Sequence, residues 1–265
     1  MSLLKTSVTF GAIVLGGCLY IWKRNNKKDI DPVKYHLDKC DEKLEGHTIV
    51  IVDSHNTCLK QNPNPQIISI NDYSSLTKQL LSTKKNINLV IHVDGGLKFP
   101  NEIMTRSLLE FQKKFQIVSY VPFKAFSCGT LLALCGSKIC IGLYGFISPI
   151  DSQHTFNVPN MTNSVRYSSR NIMNLGDEIS STDNIYKMMV FEAKQYHESD
   201  RNLLTEVMKY HKYSDEIIAN IVKCLSSGEI YYHDYIFGFE FIKQNMKLNI
   251  FREMPQEIYD LVSLL

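Results

Sequence analysis

Short apolar runs alternate with amphipathic segments in the middle of the chain, and this alternation constrains the fold more than any other feature. The apolar runs lie at 47–53, 88–96, 117–123 and 138–151. Between these runs, at 73–83, 97–115 and 126–137, apolar residues recur at the spacing of an α-helix. The runs are nearly continuous in Val, Ile and Leu, as in strands that are buried on both faces. The pattern predicts an α/β domain in which helices cover both faces of a parallel sheet.

The rest of the chain carries weaker patterns. Residues 67–71 resemble a short strand, and 152–182 are polar without clear periodicity. One long helix is predicted at 183–213 and a shorter one at 214–227. With no internal repeat in the sequence, we expect three parts: a membrane anchor with its basic flank at 1–28, a linker at 29–46 with room for a short helix, and a single domain at 47–265.

The first residues resemble a signal-anchor. Residues 6–22 contain no charge, and the basic residues Lys23, Arg24, Lys27 and Lys28 follow directly. No small-residue cleavage site is evident, which favours an uncleaved, single-pass transmembrane helix through the lipid bilayer. The positive-inside rule then places the main domain in the cytosol. A buried core helix is the alternative interpretation.

Composition excludes several functions. The formal net charge is only +2, and no long basic run occurs outside 23–28, so we expect no nucleic-acid partner. The seven cysteines form no CxxC pair and no Cys/His metal spacing, which predicts no metal site. No pattern indicates a cofactor, and unpaired cysteines are typical of a reducing compartment.

Two positions after strands carry the chemical signal. Gly95 and Gly96 follow a buried strand, where glycines let backbone N–H groups point outward. Ser127 stands where a strand meets an apolar helix, a suitable place for a nucleophile. The N–H of Cys128 and the glycine turn would then form an oxyanion hole. A simple turn and a helix N-cap explain the same residues without catalysis.

At these residues the chain resembles the serine dehydrogenase proteinase family, which is related to signal peptide peptidase A. LVIHVDGGL (89–97), VPFKAFSCGTLLALCGSKICI (121–141) and GFISPIDSQ (145–153) resemble the family patterns LILHTPGGL, VPxYAMSAGTLIALAADEI and LGPIDPQ. The resemblance extends over residues 47–262 and implies a Clp-protease/crotonase-like fold, Ser127 as nucleophile and an oxyanion donor from Gly95-Gly96. Many members also have an N-terminal membrane segment.

Three departures from these patterns bear on activity. Asp94 and Ser152 stand where the family has proline, and Cys128 replaces a small residue. The carboxylate of Asp94 would oppose an oxyanion nearby unless it is turned away or protonated.

The general base is the least determined part of the site. Asp151 belongs to the SPID motif and could be a catalytic carboxylate, a substrate ligand or a turn cap. Lys194 is a candidate because lysine serves as base in relatives of signal peptide peptidase A, and 152–182 contains no lysine. His154 and His233 are candidate substrate-binding residues. His154 lies 27 residues after Ser127, and His233 resembles a family position in YYHDY.

Three hypotheses remain at this stage. A membrane-anchored serine protease would cleave peptides or membrane-protein fragments through an acyl-enzyme. A catalytically inactive pseudoenzyme would retain the fold as a membrane-bound assembly or binding module. Crotonase-like acyl-CoA chemistry is weaker, because it does not use a serine nucleophile at a helix start. By analogy with related folds, we expect a homo-oligomer.

Overall fold

A mostly parallel β-sheet forms the centre of the protein. The computed structural model describes residues 31–52, 68–156, 165–178, 184–226 and 230–265, with the backbone of 14–15 and 18–19. The described strands are β1 (Val14–Leu15), β2 (Cys18–Leu19), β3 (His47–Val52), β4 (Ile87–His92), β5 (Ile117–Val121), β6 (Lys124–Ala125), β7 (Lys138–Ile141), β8 (Phe146–Ile147), β9 (Gln153–Phe156), β10 (Val165–Ser168), β11 (Phe237–Gly238) and β12 (Ile250–Phe251). Seven of them form the main sheet, in the order β12-β7-β5-β4-β3-β1-β2.

The register of the main sheet brings the carboxyl ends of its central strands together. Ile87 of β4 lies opposite His47 of β3 and Ile117 of β5, and these pairs are parallel. Almost every residue of the three strands is buried, as expected for strands rich in Val and Ile. The remaining short strands form two smaller sheets, with strand orders β11-β8-β6 and β10-β9. The predicted parallel sheet is therefore confirmed.

Helices cover both faces of the sheet. They are α1 (Pro32–Lys43), α2 (Ile70–Ser82), α3 (Lys98–Phe111), α4 (Cys128–Leu134), α5 (Ser169–Glu178), α6 (Asn184–Tyr210), α7 (Asp215–Leu225), α8 (Phe239–Phe241) and α9 (Gln256–Val262), with a π-helical turn at Ile242–Met246. The larger core joins one face of the sheet to α2, α3, α4, α6 and α7. A second core joins the other face to α1 and α9.

The expected linker contains a helix that packs on the domain. Asp31 begins α1 by accepting the N–H of Val33 at 3.0 Å, and Pro32 occupies the first turn. Leu37 and Cys40 are buried in the second core. The Asp-Pro step is a usual helix start, but the polar face of α1 hides its apolar periodicity in the sequence.

The predicted membrane helix falls mostly outside the described residues. Within 6–22, the backbone of Val14–Leu15 and Cys18–Leu19 forms the short strands β1 and β2 instead of a helix, and β1 pairs with β3. In the part of the chain that the structure describes, we find no helix with the length and apolar character needed to cross a bilayer.

Two local predictions differ from the structure. The predicted strand at 67–71 is reduced to a single bridge between Ile68 and Gly96, because Asp72 accepts the N–H of Ser69 at 2.6 Å and so starts α2 at Ile70. The polar segment 152–182 contains β9, β10 and α5 rather than irregular chain. These elements pack at the surface and therefore lack the apolar runs that would reveal them.

Candidate active site

Ser127 lies in a strained turn between β6 and α4. Its φ and ψ are 50° and −112°, a conformation that a residue with a Cβ rarely adopts. Hydrogen bonds from Val93 N–H to Lys124 O (3.1 Å) and from Phe126 N–H to Val93 O (3.0 Å) join this turn to the end of β4. Strain at a strand-to-helix turn is typical of nucleophile positions.

Glycine is required at Gly95 by the backbone conformation and at Gly96 by close packing. Gly95 has φ +142°, and a Cβ placed there would lie 3.4 Å from Ser127 Cβ and 3.8 Å from its Oγ. A Cβ on Gly96 would lie 2.9 Å from the Cα of Ile68. The positive φ disfavours a side chain at Gly95 and steric contact excludes one at Gly96, so the backbone of Gly95 directly borders the Ser127 side chain.

The backbone N–H groups around Ser127 differ in whether they already have a hydrogen-bond acceptor. Its own N–H donates to Ser148 Oγ at 2.8 Å and is therefore occupied. Cys128 is the first residue of α4, so its N–H has no acceptor within the helix. The helix has only seven residues, against the twelve predicted. Its dipole therefore stabilises a negative charge at Ser127 less than expected. The N–H of Cys128 and the glycine turn remain the candidate oxyanion donors.

Thr130 fixes the orientation of this turn. Its hydroxyl donates to Ala125 O at 2.7 Å and accepts the N–H of Ser148 at 3.1 Å. The side chain thereby ties α4 to β6 and to the segment that carries Ser148, whose hydroxyl in turn accepts the N–H of Ser127. Ala125, Thr130 and Ser148, from two sequence motifs, thus hold Ser127 in place.

The thiol of Cys128 is structural. Its Sγ donates to Gly96 O at 3.2 Å, and burial raises its pKa to about 12. A thiol with so high a pKa is a poor nucleophile at neutral pH. It instead links α4 to the glycine turn.

Asp94 forms an ion pair, so its carboxylate does not face the expected oxyanion hole as an uncompensated charge. Lys124 Nζ lies 2.7 Å from Asp94 Oδ1, and we call this the outer pair. The Asp94 side chain is 50% exposed and that of Lys124 26%. The ammonium balances the carboxylate one residue before Gly95.

A second ion pair, which the sequence did not predict, is more deeply buried and involves the lysine that follows the glycine turn in the chain. Lys98, the first residue of α3, binds Asp200 of α6; we call this the inner pair. Asp200 Oδ2 also accepts the N–H and hydroxyl of Ser152, at 3.0 and 2.8 Å. Both charges of the inner pair act on the Cys128 thiol, which places the pair beside the nucleophile turn.

The inner pair joins segments far apart in the chain. The predicted lysine candidates lay only downstream of Ser127, whereas Lys98 comes directly after Gly95-Gly96-Leu97. That adjacency was the one available signal for Lys98. No sequence pattern marks Asp200, because its role depends on how α6 crosses the site.

A small cavity borders residues that contact the Ser127 turn, although Ser127 itself does not line it. Its volume is about 150 Å³, and it is lined by Asp94, Phe126, Ser148, His233, Asp234 and Ile236. Burial lowers the pKa of His233, and Arg166 lowers it further against the opposing carboxylate of Asp234. Its Nδ1 is buried and makes no hydrogen bond. The structure therefore places His233, a predicted site residue, in a cavity that reaches the residues around Ser127.

The other predicted site residues lie farther along the same surface or away from it. His154 Nε2 lies 2.8 Å from Ser169 Oγ, and its ring packs edge-on against Tyr196. Asp151 is buried three residues after Ser148. Lys194 is exposed on α6, whereas the buried side of that helix carries Ala193, His197 and Asp200. The described residues contain no group of three metal-ligating side chains.

Comparison with known proteins identifies the family. The model of the ClpP-like SDH-type serine proteinases matches residues 24–265. The chain belongs to this family. Two uncharacterized proteins of Methanocaldococcus jannaschii, MJ1495 and MJ0137, are 26% and 25% identical to it over 76% of the chain. The chain spans only 65% and 67% of the length of these relatives.

Solved structures give a weaker likeness. Two mutant structures of the 1510-N membrane-bound stomatin-specific protease, one with a substrate peptide, superpose with TM-scores of 0.46 and 0.44. Sequence identity is 11% and 13%, over 73% and 72% of this chain and 79% and 74% of the other.

Membership in the ClpP-like SDH-type family makes the departures from its motifs informative. Asp94 replaces the motif's proline and Lys124 its tyrosine, and these two residues form the outer pair. Ser152 replaces another proline and donates an N–H to Asp200 that proline lacks. Two of the departing residues, Asp94 and Lys124, therefore bind each other, and a third, Ser152, binds the inner pair.

Proposed function

We propose that the protein is an active serine peptidase in which Ser127 is the nucleophile. The observation that carries the proposal is the strained backbone of Ser127, with φ 50°, packed against the side-chain-free backbone of Gly95. The N–H of Cys128, with that of Gly95 or Gly96, would form the oxyanion hole. Membership in a family of serine proteinases agrees with this assignment.

The proposed reaction is acyl transfer in two steps. Ser127 Oγ bonds to the carbonyl carbon of the peptide, and its proton passes to a base. The C–N bond then breaks, and the leaving amine takes that proton. Water hydrolyses the resulting ester and returns the serine to its starting state. The backbone donors act on the negative charge that develops on the carbonyl oxygen in each step.

We propose His233 as the general base. Its lowered pKa keeps the imidazole neutral at pH 7, so that it can accept a proton. It lines the cavity together with Phe126, which precedes Ser127, and Ser148, which binds the Ser127 N–H. Lys98 is already bound by Asp200 and by the carbonyl of Tyr196, and Lys194 lies on the exposed side of α6.

Labelling with a fluorophosphonate tests the nucleophile. We expect wild type to be labelled and Ser127→Ala not to be labelled, while Ser263→Ala, a change on exposed α9-flanking chain, labels like wild type. A folded wild type without label would contradict the proposal and favour the pseudoenzyme hypothesis.

The pH dependence of labelling tests the base. Because protonation of His233 removes the base, the rate should fall as pH falls through a midpoint below 6.5. His233→Gln should lower the rate on the plateau by about 10²-fold or more. A midpoint well above pH 7 would instead indicate a lysine base, and His233 would lose its assignment.

We propose that residues 6–22 attach the protein to a membrane, with the domain on the cytosolic side and peptides or membrane-protein fragments as substrates. The support is the uncharged run and the basic residues after it. Resistance to carbonate extraction should be lost in the double variant Phe10→Asp/Ile21→Asp, whose positions lie outside β1 and β2. Extraction of wild type would contradict the anchor. Homo-oligomer formation stays a prediction.

A further inference from the structure

We infer that Lys124 is a charge-compensating positioning residue, which cancels the field of the Asp94 carboxylate at the oxyanion hole. This inference rests on the proposed function, because it concerns the rate at which Ser127 reacts. Lys124 acts through Asp94 and is not itself a catalytic residue.

The geometry places the outer pair across the two turns that form the site. Val93 pairs with Ala125 in a parallel bridge. Asp94 therefore lies between that bridge and Gly95, while Lys124 lies three residues before Ser127. Lys124 precedes and Asp94 follows the bridged residues, so the ion pair spans the bridge diagonally, with 2.7 Å between Nζ and Oδ1. Its charges are thus fixed next to the oxyanion donors.

The sign of the field decides the effect. A transition-state oxyanion is stabilised by N–H dipoles and destabilised by any negative charge nearby. Asp94 also lines the cavity beside the Ser127 turn, so its charge acts on the reacting region as well as on the glycine turn. With the ammonium in contact, the pair presents a dipole instead of a net charge, and its field falls off faster with distance.

The charge at this place can also be followed at a neighbouring histidine. The pKa of His92 is lowered to about 4, chiefly by burial; Lys124 contributes to the lowering, and Asp94 opposes it. His92 therefore responds to each member of the outer pair with opposite sign. Its titration reports whether a variant has changed the local charge, without any need for activity.

The exposure of Asp94 makes the inference testable with salt. A carboxylate that is 50% exposed is screened by mobile ions, since the Debye length falls to about 3 Å at 1 M salt. A defect caused by uncompensated charge should therefore shrink at high salt. A defect caused by a lost structural contact should not.

The experiment compares four proteins: wild type, Lys124→Met, Asp94→Asn and the double variant. The measurement is the second-order rate constant for fluorophosphonate labelling at low and high salt. We expect Lys124→Met to react about tenfold more slowly at low salt and to recover at 1 M. The double variant should stay within about twofold of wild type, whereas Asp94→Asn, which leaves the Lys124 ammonium without its carboxylate, should react as fast as wild type or faster at low salt. Lys113→Met, which breaks a surface pair with Glu110 of 2.6 Å, is the matched control.

The outcomes separate the inference from the proposed function. If wild type is labelled but Lys124→Met is equally fast, the compensating role is overturned while the nucleophile stands. If the double variant is as slow as Lys124→Met, the pair is a structural link and the inference is also overturned. If wild type is not labelled, the proposed function fails and the inference fails with it. Lys124→Gln provides a second variant should Lys124→Met not fold.

Discussion

The two lysine–carboxylate pairs beside Ser127 have the same chemistry in different surroundings. In the inner pair the side chains of Lys98 and Asp200 are only 24% and 10% exposed, and Asp200 also binds Ser152. In the outer pair Asp94 is 50% exposed. Removing one partner of a buried pair leaves a charge without compensation, whereas water replaces the lost partner at the surface. The inner pair should therefore determine stability and the outer pair the electrostatics of the site.

Removing the inner carboxylate should have the largest effect. We expect Asp200→Ala to lower the free energy of unfolding by about 3 kcal/mol, because Lys98 and the Ser152 donors lose their acceptor. Differential scanning calorimetry should then show a Tm lower by roughly 6–12 °C. Glu206→Ala is the control on the same helix, since it breaks an exposed pair with Arg106. Equal losses in the two variants would remove the distinction between the pairs.

Acid should lower the stability of the folded protein through protonation of His92, the histidine beside the outer pair. The folded protein holds the pKa of His92 at about 4, whereas an unfolded chain protonates histidine below about pH 6.5. The unfolded state thus binds more protons between these values, and stability falls as pH falls from 6.5 to 4. Urea unfolding should show His92→Gln losing about 3 kcal/mol less than wild type over this range. An unchanged acid loss, equal to that of His36→Gln, would contradict the assignment.

Breaking the outer pair should affect stability least. Lys124→Met is expected to change the free energy of unfolding by less than about 1 kcal/mol, because both charges reach solvent. Urea denaturation at pH 7 measures this change. A loss close to that of Asp200→Ala would show that the outer pair is as desolvated as the inner one.

The sheet and its glycines could be predicted because their signals are local. Runs such as 47–53 and 117–123 have the composition of buried strands, and Gly95 and Ser127 come shortly after strands. Family motifs then assign Ser127 its expected role.

The ion pairs could not be predicted because they depend on distant parts of the chain. Lys98 and Asp200 are about a hundred residues apart, and Asp94 meets Lys124 only through the pairing of two strand ends. For α1 the sequence signal was present in Asp31 and Pro32, but the helix is stabilised by contact with α9 at the other end of the chain. Tertiary contacts of this kind leave little trace in one sequence.

The backbone of Ser127 also bears on how the protein could change by mutation. A non-glycine residue in so rare a conformation costs about 1–3 kcal/mol of folding free energy. Glycine would adopt φ 50° without strain and would restore most of that stability. A lineage that had lost the reaction would therefore gain from a single substitution at this position. The serine, with its β-carbon at φ 50°, is what selection for reactivity would keep and what selection for stability alone would discard.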